Sequence, residues 1–168
     1  MRIFTLAVAF VLGLAPMVFA NVGDDGADDR QWGISVWGLS YHVNRSIDYN
    51  EANLGVGVRY YFNRHAFVEG DALRNSNRGV VLPVSAGLEL WNGSLGGVCH
   101  VSALAALTAA YYQNLRTDTN YYRIGPVPGA VVSCGRVKTN VMGILSPSRQ
   151  PVAAIVASLT ILVGSARH

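Results

Sequence analysis

The chain has 168 residues, 13 Lys+Arg against 10 Asp+Glu, and two cysteines. With 51% hydrophobic and only 14% charged residues, against a globular norm near ~25% charged, it is neither a disordered chain nor a disulfide-dense miniprotein. A formal charge of +3 is too small to point to nucleic acid, whereas a mean hydropathy of +0.27 in a single-domain length is typical of a membrane protein.

Residues 1–20 begin with Arg2, run apolar from Ile3 to Leu14 and end Val18-Phe19-Ala20. Compact residues at −3 and −1 are what a signal peptidase accepts, so a cleaved secretory signal is expected there. Residues 21–31 then form a polar, acidic lead-in, expected in the periplasm. The best remaining apolar run is 152–163. As a helix it would cover roughly 18 Å, short of a ~30 Å hydrocarbon core, but extended and tilted it would cross. An exported, apolar chain with no second spanning helix predicts an all-β fold: an eight-stranded antiparallel up-and-down transmembrane β-barrel over 32–163, with a short tail at 164–168.

The strands are predicted in chain order at 32–44, 53–63, 66–76, 79–91, 98–111, 124–134, 136–145 and 152–163. The second alternates most clearly, with Leu54, Val56, Val58, Tyr60 and Phe62 on one face and Gly55, Gly57, Arg59 and Tyr61 on the other. In the third, Glu69 and Asp71 share a face, and in the seventh Arg136, Lys138 and Asn140 oppose Val137, Thr139, Val141 and Leu145. A soluble sandwich would turn the apolar face inward and a lipid-bathed barrel would turn it outward; periodicity alone does not separate the two, and the hydropathy and leader favour the barrel. With both termini periplasmic, the connections 45–52, 112–123 and 146–151 face outward and the short turns at 64–65 and 135 face inward, with 92–97 a modest exception to the length pattern of such barrels. Aromatics gather at both ends, Trp32, Tyr60, Phe62 and Trp91 at one, and Tyr41, Tyr111, Tyr112, Tyr121 and Tyr122 at the other, which suits interfacial girdles.

Metal, phosphate and nucleotide motifs are absent: there is no CxxC, HExxH, GxGxxG or Walker loop, and the four histidines are dispersed. No cofactor or metal is expected. His42, near the outer end of the first strand, and Ser76, at the outer end of the third, are two strand spacings apart, about 10 Å, and inward side chains would converge across that gap. A His beside a hydroxyl is the minimum for general-base or nucleophilic acyl chemistry, although a Ser in Asn75-Ser76-Asn77-Arg78-Gly79 is also ordinary turn chemistry. Asp71, inward on the third strand, is expected to pair with Arg59. Cys99 and Cys134 fall at one rim on neighbouring strands. They either form a bridge, which the compartment permits, or, one register step away, remain two thiols on opposite faces.

The ordered set Leu39-Ser40-Tyr41-His42, Tyr49-Asn50-Glu51, Gly55-Val56-Gly57, Asn75-Ser76, Pro126-Val127-Pro128-Gly129, Cys134-Gly135 and Leu145-Ser146-Pro147 resembles the lipid A palmitoyltransferase (PagP) family across about residues 32–163. The resemblance implies a monomeric outer-membrane barrel of a Gram-negative bacterium that moves a palmitoyl chain from a phospholipid to lipid A of lipopolysaccharide. Both lipids would enter laterally from the outer leaflet. It also implies that His42, Asn75 and Ser76 are the catalytic positions, with Asn75 standing where the family has Asp. Asn can hold a hydrogen bond but cannot balance an imidazolium, so Asp48 is the nearest substitute by connectivity, and Asn75→Asp is expected to retain or raise activity. Gly87, or Leu88 one residue on, would set the depth available to the acyl chain. From their place in the expected outward loops, rather than from the resemblance, Arg45 and Arg149, with Arg116 and Arg123, either bind lipid A phosphates or are ordinary solvated loop charge. The competing expectations are a non-enzymatic small barrel serving adhesion or membrane stability, and a lipid A deacylase.

Overall fold

The computed structural model describes residues 30–43, 49–115, 117–145 and 152–163; the expected signal peptide, most of the lead-in and the tail lie outside them. Eight strands follow in order: β1 Gln31–His42, β2 Ala52–Tyr61, β3 Ala66–Arg74, β4 Val80–Leu95, β5 Cys99–Asn114, β6 Thr119–Cys134, β7 Val137–Leu145 and β8 Val152–Val163. Each pairs antiparallel with the next, and β8 pairs back onto β1, closing the barrel. The described residues contain no helix. The start of β1 and the end of β8 define a terminal rim, and His42 and the β3–β4 turn lie at the opposite rim.

Two expected connections are instead regular structure. The ladder between β5 and β6 runs unbroken from Cys99↔Cys134 to Asn114↔Thr119, so most of 112–123 is a projecting hairpin rather than a loop. At the terminal rim, β4 continues past an irregularity between Leu90 and Asn92 to pair Leu95 with Cys99. Both extensions are rich in residues that read as turn formers, yet an antiparallel neighbour satisfies their backbone groups more fully than solvent-facing loops would.

The barrel is apolar outside and polar inside. Leu39, Leu54 and Val56 stand 67%, 68% and 61% exposed on its outer surface, while Ser35, Arg59, Asn140 and Thr160 are fully buried. This inverts a soluble barrel, whose alternating strands turn the apolar side inward. On the outer surface near the terminal rim, Trp32, Tyr60 and Phe62 stack in sequence, with centroids 4.7 and 5.1 Å apart. Tyr111 and Tyr122 pair near the other rim at 5.3 Å.

The lumen is filled on one side by a charged plug. Arg59 donates to Glu69 at 2.7 Å, to Tyr61 at 3.0 Å and to Asn140 at 3.0 Å. Tyr61 donates to Glu89 at 2.6 Å, and Lys138 donates to the other oxygen of Glu89 at 2.8 Å. Ser35 donates to Glu69 and lies 3.2 Å from the Thr160 hydroxyl, which also accepts from Asn140. Six strands contribute to this network, and its cations and carboxylates balance. The expected Arg59–Asp71 pair does not form. Arg59 lies directly opposite Glu69, whereas Asp71 lies opposite Gly57 and accepts from the Trp37 indole at 2.8 Å.

Cys99 and Cys134 are joined by a disulfide at the terminal rim, with Cα atoms 4.4 Å apart. That spacing matches a non-hydrogen-bonded antiparallel pair, where facing side chains approach most closely. The bridge closes a loop of sequence separation 35, worth about 3–4 kcal/mol by chain entropy. Cys99→Ser with Cys134→Ser should therefore lower the unfolding free energy by up to that amount. The check is urea unfolding of the oxidised protein and of the double variant; equal midpoints would show that the adjoining ladder alone holds this end.

Candidate functional site

His42 reaches the lumen only because β1 changes parity. Trp32, Ile34 and Val36 face outward, and strict alternation would send Ser40 and His42 outward with them. The ladders to β2 and to β8 both shift between Trp37 and Leu39, a bulge at Gly38 that inserts one residue and reverses the faces beyond it. Ser40 and His42 are thereby buried and Leu39 and Tyr41 exposed. The Tyr49 ring packs edge-on against His42, with centroids 4.2 Å apart.

Ser76 follows β3 and enters the same space. The Asn53 amide links it to Ser40: its oxygen accepts from Ser40 Oγ at 2.6 Å and Ser76 Oγ at 3.3 Å, while its nitrogen donates to the carbonyls of Asn50 and Arg74. The backbone adds a bond from Asn50 N–H to the Ser76 carbonyl at 3.0 Å. The segment before β2 is thus tied to the β3–β4 turn, and the Ser76 hydroxyl is fixed in place. Asn53 is a site residue that motif reasoning missed, and Ser40 and Tyr49 stand in the motifs without a role assigned to them, because all three act through positions set by the bulge and the turn.

His42, Asn75 and Ser76 all line one cavity of about 360 Å³. Its wall is mixed: Leu73, Val81, Pro83, Val127, Met142, Ile144 and Val156 supply apolar surface, and Ser85 and Thr108 supply hydroxyls. Phe67 and Glu69 line its inner end. Gly87 pairs with Phe67 on one side and Ala106 on the other, and a Cβ there would lie 2.6 Å from the Phe67 ring and 2.9 Å from Ala106 Cβ. Of the two depth-setting candidates, Gly87 faces the lumen. Leu88 packs with Ala66, Val68 and Ala86 instead.

The role of Asn75 is visible in its partners. Its nitrogen donates to the Gln113 carbonyl at 2.6 Å and the Val80 carbonyl at 3.2 Å; its oxygen accepts from the N–H groups of Asn77 and Gly79. All four contacts are to backbone, so the amide holds the turn carrying Ser76 and anchors it to β5. For Asn75→Asp these contacts bear on stability, not on the activity expected above. A carboxylate would set an oxygen against two carbonyls and lose both donated bonds, at a cost of about 2–4 kcal/mol. The variant should unfold at lower temperature, measured by the heat-dependent shift in gel mobility; unchanged stability would refute the amide's structural role.

Arg123 and Tyr121 on β6 and Tyr112 on β5 also line the cavity. Tyr112 and Tyr121 therefore belong to the lumen rather than to the outer aromatic girdle. Between β6 and β7 the ladder runs from Cys134↔Val137 only to Gly129↔Met142. Beyond it Pro126 and Pro128 have no N–H to donate. Among the described residues, β6 continues paired to β5 alone, and the β6–β7 ladder has no hydrogen-bonded pair past this point. Arg45, Asp48, Arg116 and Arg149 lie outside the described residues.

No protein-family model matches the chain, and no curated protein does.

Proposed function

We propose that this protein is an outer-membrane acyltransferase that moves a palmitoyl chain from a phospholipid to lipid A, as the sequence resemblance implies. One observation carries the chemistry: a histidine and a hydrogen-bonded serine share one cavity whose mixed wall includes apolar surface from Val127, Met142, Ile144 and Val156. The inverted polarity of the barrel supports the membrane setting. A belt of exposed aliphatic side chains on all sides exceeds what a soluble surface leaves in water, and hydrocarbon covers it without cost. Strands of 9 to 16 residues are long enough to cross when tilted.

The donor's acyl chain lies along the apolar wall, with its ester near His42 and Ser76. Both lipids enter laterally from the outer leaflet, and the stretch of β6 past Gly129, where Pro126 and Pro128 lack N–H donors, is the route we assign. His42 takes the proton of the attacking hydroxyl, that of Ser76 or of the acceptor sugar. As the tetrahedral intermediate collapses, the ester C–O bond breaks and the proton passes to the leaving glycerol oxygen; on the Ser76 route the acceptor hydroxyl then attacks the acyl-serine ester, and His42 takes its proton and returns it to the departing Ser76 oxygen. Every group named belongs to one chain, so a monomer suffices.

The test is mass spectrometry of lipid A from Gram-negative cells with and without the protein. A gain of one palmitoyl group is expected. A loss of acyl mass would replace the reading with a deacylase, and no change would leave a non-enzymatic barrel. The same assay probes Gly87. An alanine Cβ would press on the Phe67 ring, which is already backed by the Arg59 guanidinium at 4.2 Å and the Tyr61 ring at 5.8 Å. The ring must yield into the cavity, so Gly87→Ala should shift the transferred chain toward fewer carbons. An unchanged chain length would exclude this floor as the ruler.

A further inference from the structure

Among the described residues, Arg123 is the one Arg or Lys that lines the cavity, where it stands exposed with no described carboxylate paired to it. Its guanidinium lies 5.2 Å from the centroid of the Tyr121 ring. Tyr121 in turn stacks on Tyr112, with centroids 5.1 Å apart and planes 7° from parallel. These contacts give the guanidinium a shelf while leaving its N–H donors for another partner. The carboxylates lining the cavity are already engaged: Glu69 with Arg59 and Asp71 with Trp37. The other cations following or ending β3, Arg74 and Arg78, are not among the lining residues. Arg123 also sits on the stretch of β6 that pairs with β5 at Ala110 and, among the described residues, has no partner on β7.

We propose that Arg123, shelved on Tyr121 and Tyr112, is a phosphodiester-binding residue that takes the headgroup phosphate of the lipid whose acyl chain occupies the cavity. The identity of that lipid as the acyl donor rests on the acyl-transfer reading above; the anion site itself does not. A planar fork of donors matches two phosphate oxygens. In a glycerophospholipid the phosphate is joined to the ester through the short glycerol unit, so a phosphate at Arg123 sets the ester at a fixed depth in the same cavity. An acceptor phosphate would place no such constraint on the donor's chain.

The experiment measures binding and turnover separately. The wild-type barrel in amphipol is titrated calorimetrically with dodecylphosphocholine and with dodecyl maltoside, which share a tail and differ in the anionic group. The phosphodiester amphiphile should bind about tenfold more tightly, the scale of one charge-assisted hydrogen bond. Arg123→Gln should bind both alike, and Tyr121→Leu should lose part of the preference. A wild-type barrel without preference, or Arg123→Gln that keeps it, overturns the site. In the transfer assay, Arg123→Gln should raise the donor KM about tenfold with the acceptor KM unchanged. A rise confined to the acceptor KM overturns the donor assignment. A barrel that prefers the phosphodiester yet transfers no acyl group removes the acyltransferase reading and leaves the anion site standing.

Discussion

Ser76→Ala and His42→Ala should each cut acyl transfer by about 10²–10⁴-fold, the range that a positioned general base or an activated nucleophile contributes, while the barrel still folds. Neither side chain belongs to the charged plug, and both lie at the cavity rather than in the ladder between strands. Folding is confirmed by retention of the heat-dependent gel shift. Asn53→Ala should give a smaller loss, because it frees the Ser76 hydroxyl without removing it; it breaks the tie from Ser40 to Ser76. The pattern expected is therefore a deep loss at His42 and Ser76 and an intermediate one at Asn53. Full activity in either of the first two variants would sink the catalytic assignment. Equal, total loss in all three would mean that the chain of contacts acts as one unit, as coupled groups do.

The strand count and the inward face of β2 were legible in the sequence because they depend on period-two alternation, which Leu54 to Tyr61 displays without interruption. The inward turn of His42 was not. It requires a one-residue insertion at Gly38, and bulges leave no residue-type signature strong enough to locate. Motif order singled out His42 without giving the reason that it faces the lumen. The Arg59 partner was misread for a related cause. Glu69 and Asp71 share a face, and only the register of β2 on β3 decides which of them lies opposite Arg59. Asn75 shows a third limit. A position that matches a family's acidic residue reads as chemistry from sequence, whereas its contacts here are all to backbone.

Arg59→Met should destabilise the barrel by about 3–5 kcal/mol, the cost of leaving a buried carboxylate without its counter-ion. Arg59 is fully buried, and its removal strips Glu69 of its 2.7 Å partner. It also deprives Tyr61 and Asn140 of a donor. Glu89 is less affected, because Lys138 holds its second oxygen at 2.8 Å. The double variant Arg59→Met with Glu69→Gln should recover a substantial part of the loss, since it removes the orphaned charge along with the cation. Denaturant unfolding in detergent micelles measures both. A single variant within about 1 kcal/mol of wild type would mean that water reaches Glu69 and the plug is not closed. The consequence for the site is direct: Phe67 rests on the Arg59 guanidinium and lines the cavity. Loosening Arg59 should therefore also blur the acyl-chain length selected, even where the remaining activity is preserved.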